Sequence, residues 1–175
     1  MNTSIEASMA SVLKKRVDKS YLTLPYCYTE AEVLTASASK PLHKRKREPL
    51  VLAVREAVEA AIAGAAMVEH WRTLADAANI AETLITSAAF ADPDGLFADA
   101  VNAVIGMGRQ YGAGQAMRLE PEQQEHLGDF CDAYQLMLEQ ASERTYLQAC
   151  RATERRLREL LMHACGRQDH EFLVI

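Results

Sequence analysis

The sequence has few of the residues from which sheets and tight turns are built. Aromatic residues make up 6% of the chain, and its 175 residues include only 8 glycines and 5 prolines. A β-sandwich needs many turns and strands rich in aromatic and β-branched residues, so this composition argues against one. Alanine is abundant instead, and with Leu, Met, Glu and Arg it favours helices. We therefore expect an all-α fold.

The sequence also lacks the spacings of known metal and redox sites. Its four cysteines, at positions 27, 131, 150 and 165, include no Cys-x-x-Cys pair, the spacing of zinc and thioredoxin-like motifs. The histidines at positions 70, 126, 163 and 170 are not preceded by Glu three residues earlier, as a di-iron bundle requires. We predict that Cys131 and Cys150 are buried apolar residues. We expect no metal and no cofactor.

Long apolar segments are missing as well. No apolar run reaches about 18 residues, so no membrane-spanning helix is expected. Residues 1–20 lack the apolar stretch of a signal peptide. We expect a cytoplasmic protein without membrane contact.

Apolar residues recur at three- and four-residue spacings in five stretches, as they do in amphipathic helices. The stretches begin near Pro49, Val68, Leu96, Pro121 and Ser142. Short links between them predict antiparallel neighbours, and we predict an antiparallel bundle of about five helices over residues 49–166. The predicted core includes Leu74, Leu84, Val104, Phe130, Tyr134, Leu157 and Leu160.

Residues 1–48 lack such a stripe and are predicted to form a flexible, basic and largely irregular N-terminal arm. Residues 167–175 are predicted to be a C-terminal tail. Residues 1–47 carry a net charge of +5, whereas the rest of the chain carries −10. Thr29 and Glu32 predict one short capped helix in the arm, around which the chain is either disordered or laid as a strap over the bundle. We expect residues 1–47 to be dispensable for folding.

The densest positive charge lies in Lys44, Arg45, Lys46 and Arg47. A helix is predicted to start directly after this run, and the positive end of its dipole repels cations. Folding alone therefore does not explain these residues. Their ordinary partners are phosphates and acidic proteins. We therefore take the four residues as candidate contacts to a partner protein or to nucleic acid.

Two helical segments share a pattern that ends in asparagine. Residues 75–79 read Ala-Asp-Ala-Ala-Asn and residues 98–102 read Ala-Asp-Ala-Val-Asn. Chance among Ala-rich helices is one explanation. The other is a pair of related helices that bury Asn79 and Asn102 at matching depths, where an asparagine needs partners and fixes the register of the helices.

No motif in the sequence indicates catalysis. The glycine run over residues 106–114 ends a predicted helix, whereas a phosphate-binding loop follows a strand and opens a helix. No serine or cysteine lies in a recognised nucleophile motif. We predict that the protein is not an enzyme.

The segment from Trp71 to Leu84, WRTLADAANIAETL, resembles small helical proteins encoded by proteobacterial prophages and plasmids. The similarity extends over about residues 44–165, including the basic run before Pro49 and the residues near Tyr146. The resemblance implies a mobile-element origin, and such accessory proteins commonly bind a host protein or DNA. It assigns no functional residues.

These observations lead to two functional hypotheses. The first is a non-enzymatic accessory binding protein of phage or mobile-element type, which acts through protein–protein contact with a host factor. The alternative is a small DNA-associated regulator that uses the basic arm. Formation of a homo-oligomer is left open.

Overall fold

The computed structural model of the protein describes residues 28–87, 89–92 and 95–164, with side chains through residue 159. Helices cover 77% of this part, which contains no strand, and the all-α prediction is confirmed. None of the described helices is both long and apolar enough to cross a membrane. Residues 1–27 of the predicted arm and the predicted tail, residues 167–175, lie outside the described residues. The six helices are α1 (Glu30–Thr35), α2 (Lys44–Ile62), α3 (Val68–Thr86), α4 (Leu96–Gly112), α5 (Pro121–Gln140) and α6 (Glu143–Ala164).

Four of the helices form a closed ring. Each of α2, α3 and α4 packs against the next helix, and α5 returns to pack against α2. Arg47 in the first turn of α2 pairs with Glu139 in the last turn of α5, so these two helices are antiparallel. The ring of Trp71, near the start of α3, likewise lies against Gly108 in the second half of α4. The four helices of the ring thus form the predicted antiparallel bundle.

Helix α6 follows α5 after only two residues, yet its main contacts are with α3 and α1. Thr153 and Arg156 of α6 contact Asn79, Thr83 and Glu82 of α3, so α6 packs on α3 and not on α5. The prediction that consecutive helices are antiparallel neighbours is therefore wrong for this pair. The two sides of α5 are already covered by α2 and α4, and an extended Ala141 directs the chain away from the ring.

Helix α3 is the centre of the fold because it packs against α2, α4, α5 and α6. Its small alanine side chains allow neighbouring helices to approach from several directions, and ten consecutive or nearly consecutive positions are buried. The side chain of Leu160 is outside the described part. The other predicted core residues are all buried, namely Leu74, Leu84, Val104, Phe130, Tyr134 and Leu157.

The ordered fold begins earlier than predicted. The capping box at Thr29 is present, α1 buries Val33, and the strap that follows α1 is fixed by buried Ala36 and Leu42. Helix α2 begins at Lys44 rather than near Pro49 because the Nδ1 atom of His43 caps it, accepting a hydrogen bond from the Arg45 backbone N–H. Residues 29–47 are therefore less irregular than predicted, and of the two alternatives for the chain around the short helix the structure has the strap. That residues 1–47 are dispensable for folding stays a prediction.

The glycine run serves helix packing in α4. A Cβ atom on Gly108 would lie 3.0 Å from the ring of Trp71, and the Trp71 indole N–H donates to the Val104 carbonyl at 2.9 Å. Glycine therefore lets α3 and α4 approach at the level of the indole. As predicted, these glycines belong to the end of a helix, which closes at Gly112.

Candidate functional site

The four cations of the basic run lie in the first turn of α2, and three of them contact carboxylates of the same chain. Lys46 Nζ lies 2.6 Å from Glu143 and Arg47 lies 3.5 Å from Glu139, which attaches this turn to α6 and α5. Lys44 pairs with Glu48 one turn along α2 at 3.3 Å. These carboxylates offset the unfavourable position of the cations at the positive end of the helix.

The contact between Lys46 and Glu143 is also the chief electrostatic feature of this corner of the molecule. The hydrogen bond from the Lys46 ammonium group lowers the pKa of Glu143, because it stabilises the charged carboxylate. Arg45 differs from its neighbours, since its exposed side chain has no ion pair or hydrogen bond within the described residues. Arg45 is therefore the member of the run that is most available to a partner.

The basic run borders a groove between α2 and α5 with a volume of about 850 Å³, and Arg45, Arg47, Leu52 and Glu139 contribute to its walls. At the end of the groove away from the basic run, Arg55 connects the two helices, donating hydrogen bonds to Asp132 at 2.7 Å and to Gln135 at 2.9 Å. The groove is open to solvent and combines cationic, anionic and apolar side chains.

Two leucines lie exposed at the middle of this surface. The side chains of Leu52 on α2 and Leu136 on α5 are 57% and 55% exposed. The antiparallel pairing of Arg47 with Glu139 and of Arg55 with Asp132 places both leucines at the same level of the two helices. Leu52 lines the groove, and Leu136 follows its wall residue Gln135 directly in the chain. Exposed apolar side chains on one surface make it a candidate for contact with a partner.

The end of the surface opposite the basic run is acidic. Its carboxylates are exposed and have no ion pair within the described residues. We call the exposed residues of α2 and α5 together the α2–α5 face, which is basic at the start of α2, apolar at its centre and acidic at the start of α5. The carboxylates of the acidic end are Glu56, Glu59, Glu122, Glu125 and Asp129.

The two asparagines singled out from the sequence have different environments. Asn79 is 1% exposed, its backbone carbonyl accepts a hydrogen bond from Thr153, and its side-chain carbonyl accepts one from Arg156. Asn102 is exposed on α4. The prediction of matching depths is therefore wrong, because α3 is covered by α6 on the side that carries Asn79, whereas Asn102 faces solvent.

The buried part of the molecule holds two thiols with low reactivity. Cys131 and Cys150 are free and buried, as predicted. Burial raises the pKa of Cys150 to about 12 and raises that of Cys131, so little thiolate forms near neutral pH. Burial also raises the pKa of Tyr146, which lies beside Cys150. In the part of the chain that the structure describes, no three His, Cys, Asp or Glu residues are grouped as metal ligands.

The arginines of α6 are mostly engaged within the chain. Arg144 donates hydrogen bonds to the backbone carbonyls of Ala36 and Leu34 on α1, Arg156 pairs with Glu82, and Arg158 pairs with Glu154. These contacts give Arg144, Arg156 and Arg158 a structural role within the chain.

No protein-family model, curated protein or solved structure matches this chain. The exposed leucines of the α2–α5 face were missed in the sequence, although a signal for them exists. Leu52 lies off the stripe formed by Val51, Val54 and Val58 on α2, and a leucine on the polar side of an amphipathic helix marks an exposed apolar group.

Proposed function

We propose that this protein is a non-enzymatic accessory protein of phage or mobile-element type, and that it acts through protein–protein contact with a host factor. The observation that carries the proposal is the α2–α5 face, where Leu52 and Leu136 are both more than half exposed between charged residues. Binding would remove these apolar groups from water, which is the main source of favourable free energy in protein association.

The charges of this face favour a protein over nucleic acid. Lys44, Lys46 and Arg47 already contact carboxylates, so phosphates would have to compete with them for these cations. Nucleic acid that extended along the face would also bring its phosphates close to the five carboxylates of the acidic end. The affinity of proteins for DNA depends largely on the number of cations that contact phosphate, and here that number is small.

The proposal of a non-catalytic role rests on the sequence, in which no nucleophile motif is present. The two described cysteines support it, because their raised pKa values keep them as neutral thiols. The origin in a mobile element rests on the resemblance of residues 44–165 to prophage and plasmid proteins.

The test is capture of partners from the lysate of a proteobacterial host, with and without nuclease. We compare the wild-type protein with the Leu52→Glu and Leu136→Glu variants. Leu34→Glu is the matched control, because Leu34 is 69% exposed on α1, away from the α2–α5 face.

We expect the wild-type and Leu34→Glu proteins to retain the same host protein after nuclease treatment, and the two face variants to lose it. Retention by all four proteins would contradict the assignment of this face. Loss of the captured protein on nuclease treatment, together with binding of duplex DNA that weakens in Arg45→Ala, would support the DNA-associated regulator instead.

A further inference from the structure

The opposite charges at the two ends of the α2–α5 face restrict what can cover the whole of it. Arg45 at the basic end is exposed without a partner among the described residues, and the five carboxylates of the acidic end are likewise unpaired. A uniformly acidic ligand would be repelled at the acidic end, and a uniformly basic one at the start of α2. The charges therefore fit a partner that is itself acidic at one end, apolar in the centre and basic at the other.

We propose that a second copy of this chain is such a partner, and that the protein forms a symmetric homodimer through the α2–α5 face. The inference rests on the proposed function in that it names an occupant of the same face. Most soluble homo-oligomers are two-fold dimers in which one self-complementary surface meets itself, and the charge order of this face is self-complementary.

The required two-fold axis lies in the plane of the face and crosses α2 and α5 at the level of Leu52 and Leu136. It places α2 antiparallel to α2 of the second copy, so that Leu52 meets its own symmetry mate. Arg45 and Glu59 lie seven residues on either side of Leu52, which is two helical turns or about 10.5 Å. Arg45 of one copy therefore meets Glu59 of the other, and this contact occurs twice.

The same axis brings the start of α5 onto the basic end of the second copy. Asp129 lies seven residues before Leu136 and reaches the corner where Lys46 contacts Glu143. Lys46 is 56% exposed in that pair, so it can also approach a carboxylate of the second copy. Opposite charges then face each other at both ends of the interface.

The size of the face indicates a weak dimer. Helix α2 has 19 residues, which corresponds to a length of about 28 Å. Two adjacent helices form a surface roughly 20 Å wide, so the face offers about 560 Å² per copy, and the total of about 1,100 Å² lies near the lower limit of specific interfaces. Dimers of this size dissociate on dilution, and a host factor that binds the same face competes with the second copy.

The inference is tested by sedimentation equilibrium of the full chain at about 5 to 200 µM, a range suited to the weak association expected from the interface size. We compare the wild-type protein with Arg45→Glu, with Glu59→Arg and with the double variant that carries both changes. Arg155→Glu is the matched control, because Arg155 is exposed on α6 outside this face, and circular dichroism verifies that each variant is folded.

We expect the wild-type protein and Arg155→Glu to approach twice the 19.4 kDa mass of one chain as concentration rises. Each single charge reversal should raise the dimer dissociation constant at least about tenfold, since it places two like-charged pairs in the interface, and the double variant should restore it. A wild-type protein that stays monomeric throughout, or a dimer that both single reversals leave unchanged, would overturn the inference.

The two proposals fail separately. A monomeric protein that still captures a host protein through Leu52 contradicts the dimer and leaves the proposed function standing. A dimer that obeys the charge reversals but captures no host protein contradicts the host contact and supports the assignment of the second copy.

Discussion

Replacing Gly108 by alanine tests the packing of α3 against α4. Alanine in place of glycine inside a helix normally stabilises a protein by about 0.5–1 kcal/mol, because glycine loses more backbone entropy on folding. At Gly108 the added Cβ would lie 3.0 to 3.1 Å from three atoms of the Trp71 indole. This distance is shorter than an ordinary van der Waals contact, so the ring or the helix must move.

The Trp71 ring cannot move freely. It is 7% exposed, and its indole N–H is held by the carbonyl of Val104 at 2.9 Å. Overpacking of a core in this way costs about 1–3 kcal/mol, which exceeds the gain in helix propensity. We therefore expect Gly108→Ala to lower the free energy of unfolding by about 0.5–2 kcal/mol.

The matched control is Gly128→Ala in α5, where an added Cβ has no other atom within 4 Å. The same substitution should there raise the free energy of unfolding by about 0.5–1 kcal/mol. Urea denaturation followed by circular dichroism measures both changes. In a Trp71→Leu background, the penalty of Gly108→Ala should shrink, because the close contact is gone. If Gly108→Ala stabilises the wild-type protein as much as Gly128→Ala does, the proposed packing role of Gly108 is wrong.

Three further predictions concern other parts of the fold. Asn79→Ala should lower the free energy of unfolding by about 1–3 kcal/mol, since it removes, at a buried position, a hydrogen bond from the charged Arg156. Asn102→Ala on the exposed side of α4 should change it by less than about 0.5 kcal/mol, and equal effects in urea melts would contradict this difference. A chain that begins at Lys44 should melt at a lower temperature than one that begins at Tyr28, because it lacks the buried Val33, Ala36 and Leu42, and equal melting temperatures would refute the strap's role. The folded state keeps the Cys150 proton up to about pH 12, while the unfolded thiol loses it near its ordinary pKa of 9.0. Stability should therefore fall as pH rises above about 9, by up to about 1.4 kcal/mol per pH unit, and this added slope should be absent in Cys150→Ala.

The helical ring could be predicted from the sequence because its signals are local. The stripe through Leu127, Phe130 and Tyr134 identifies the buried side of α5 without knowledge of its neighbours. The start of α2 could not be found in this way, since the carboxylates that stabilise its cations, Glu139 and Glu143, are about 95 residues away in the chain. Residues 44–47 taken alone are four neighbouring cations that repel one another.

The candidate site was predicted only in part for the same reason. The sequence identifies four cations in the basic run. It does not reveal that Lys44, Lys46 and Arg47 form ion pairs and that Arg45 forms none within the described residues. The burial of Asn79 depends on α6, which crosses α3 from a distant part of the chain. Asn102 has a similar local sequence but no covering helix, so the local pattern predicts its environment wrongly.

The contact between α3 and α6 has a consequence for the order of events during synthesis. The four ring helices are all synthesised by Gln140, before α6, so α2, α4 and α5 can pack against α3 before α6 exists. The side that α6 covers later carries Asn79 and Thr83, which are hydrogen-bonded to Thr153 and Arg156 in the finished fold. Until α6 leaves the ribosome, water can solvate these polar groups, so a nascent chain that has closed its ring presents a hydrophilic strip there. These polar groups lose their bound water only when α6 packs against α3 and its side chains replace that water as hydrogen-bond partners.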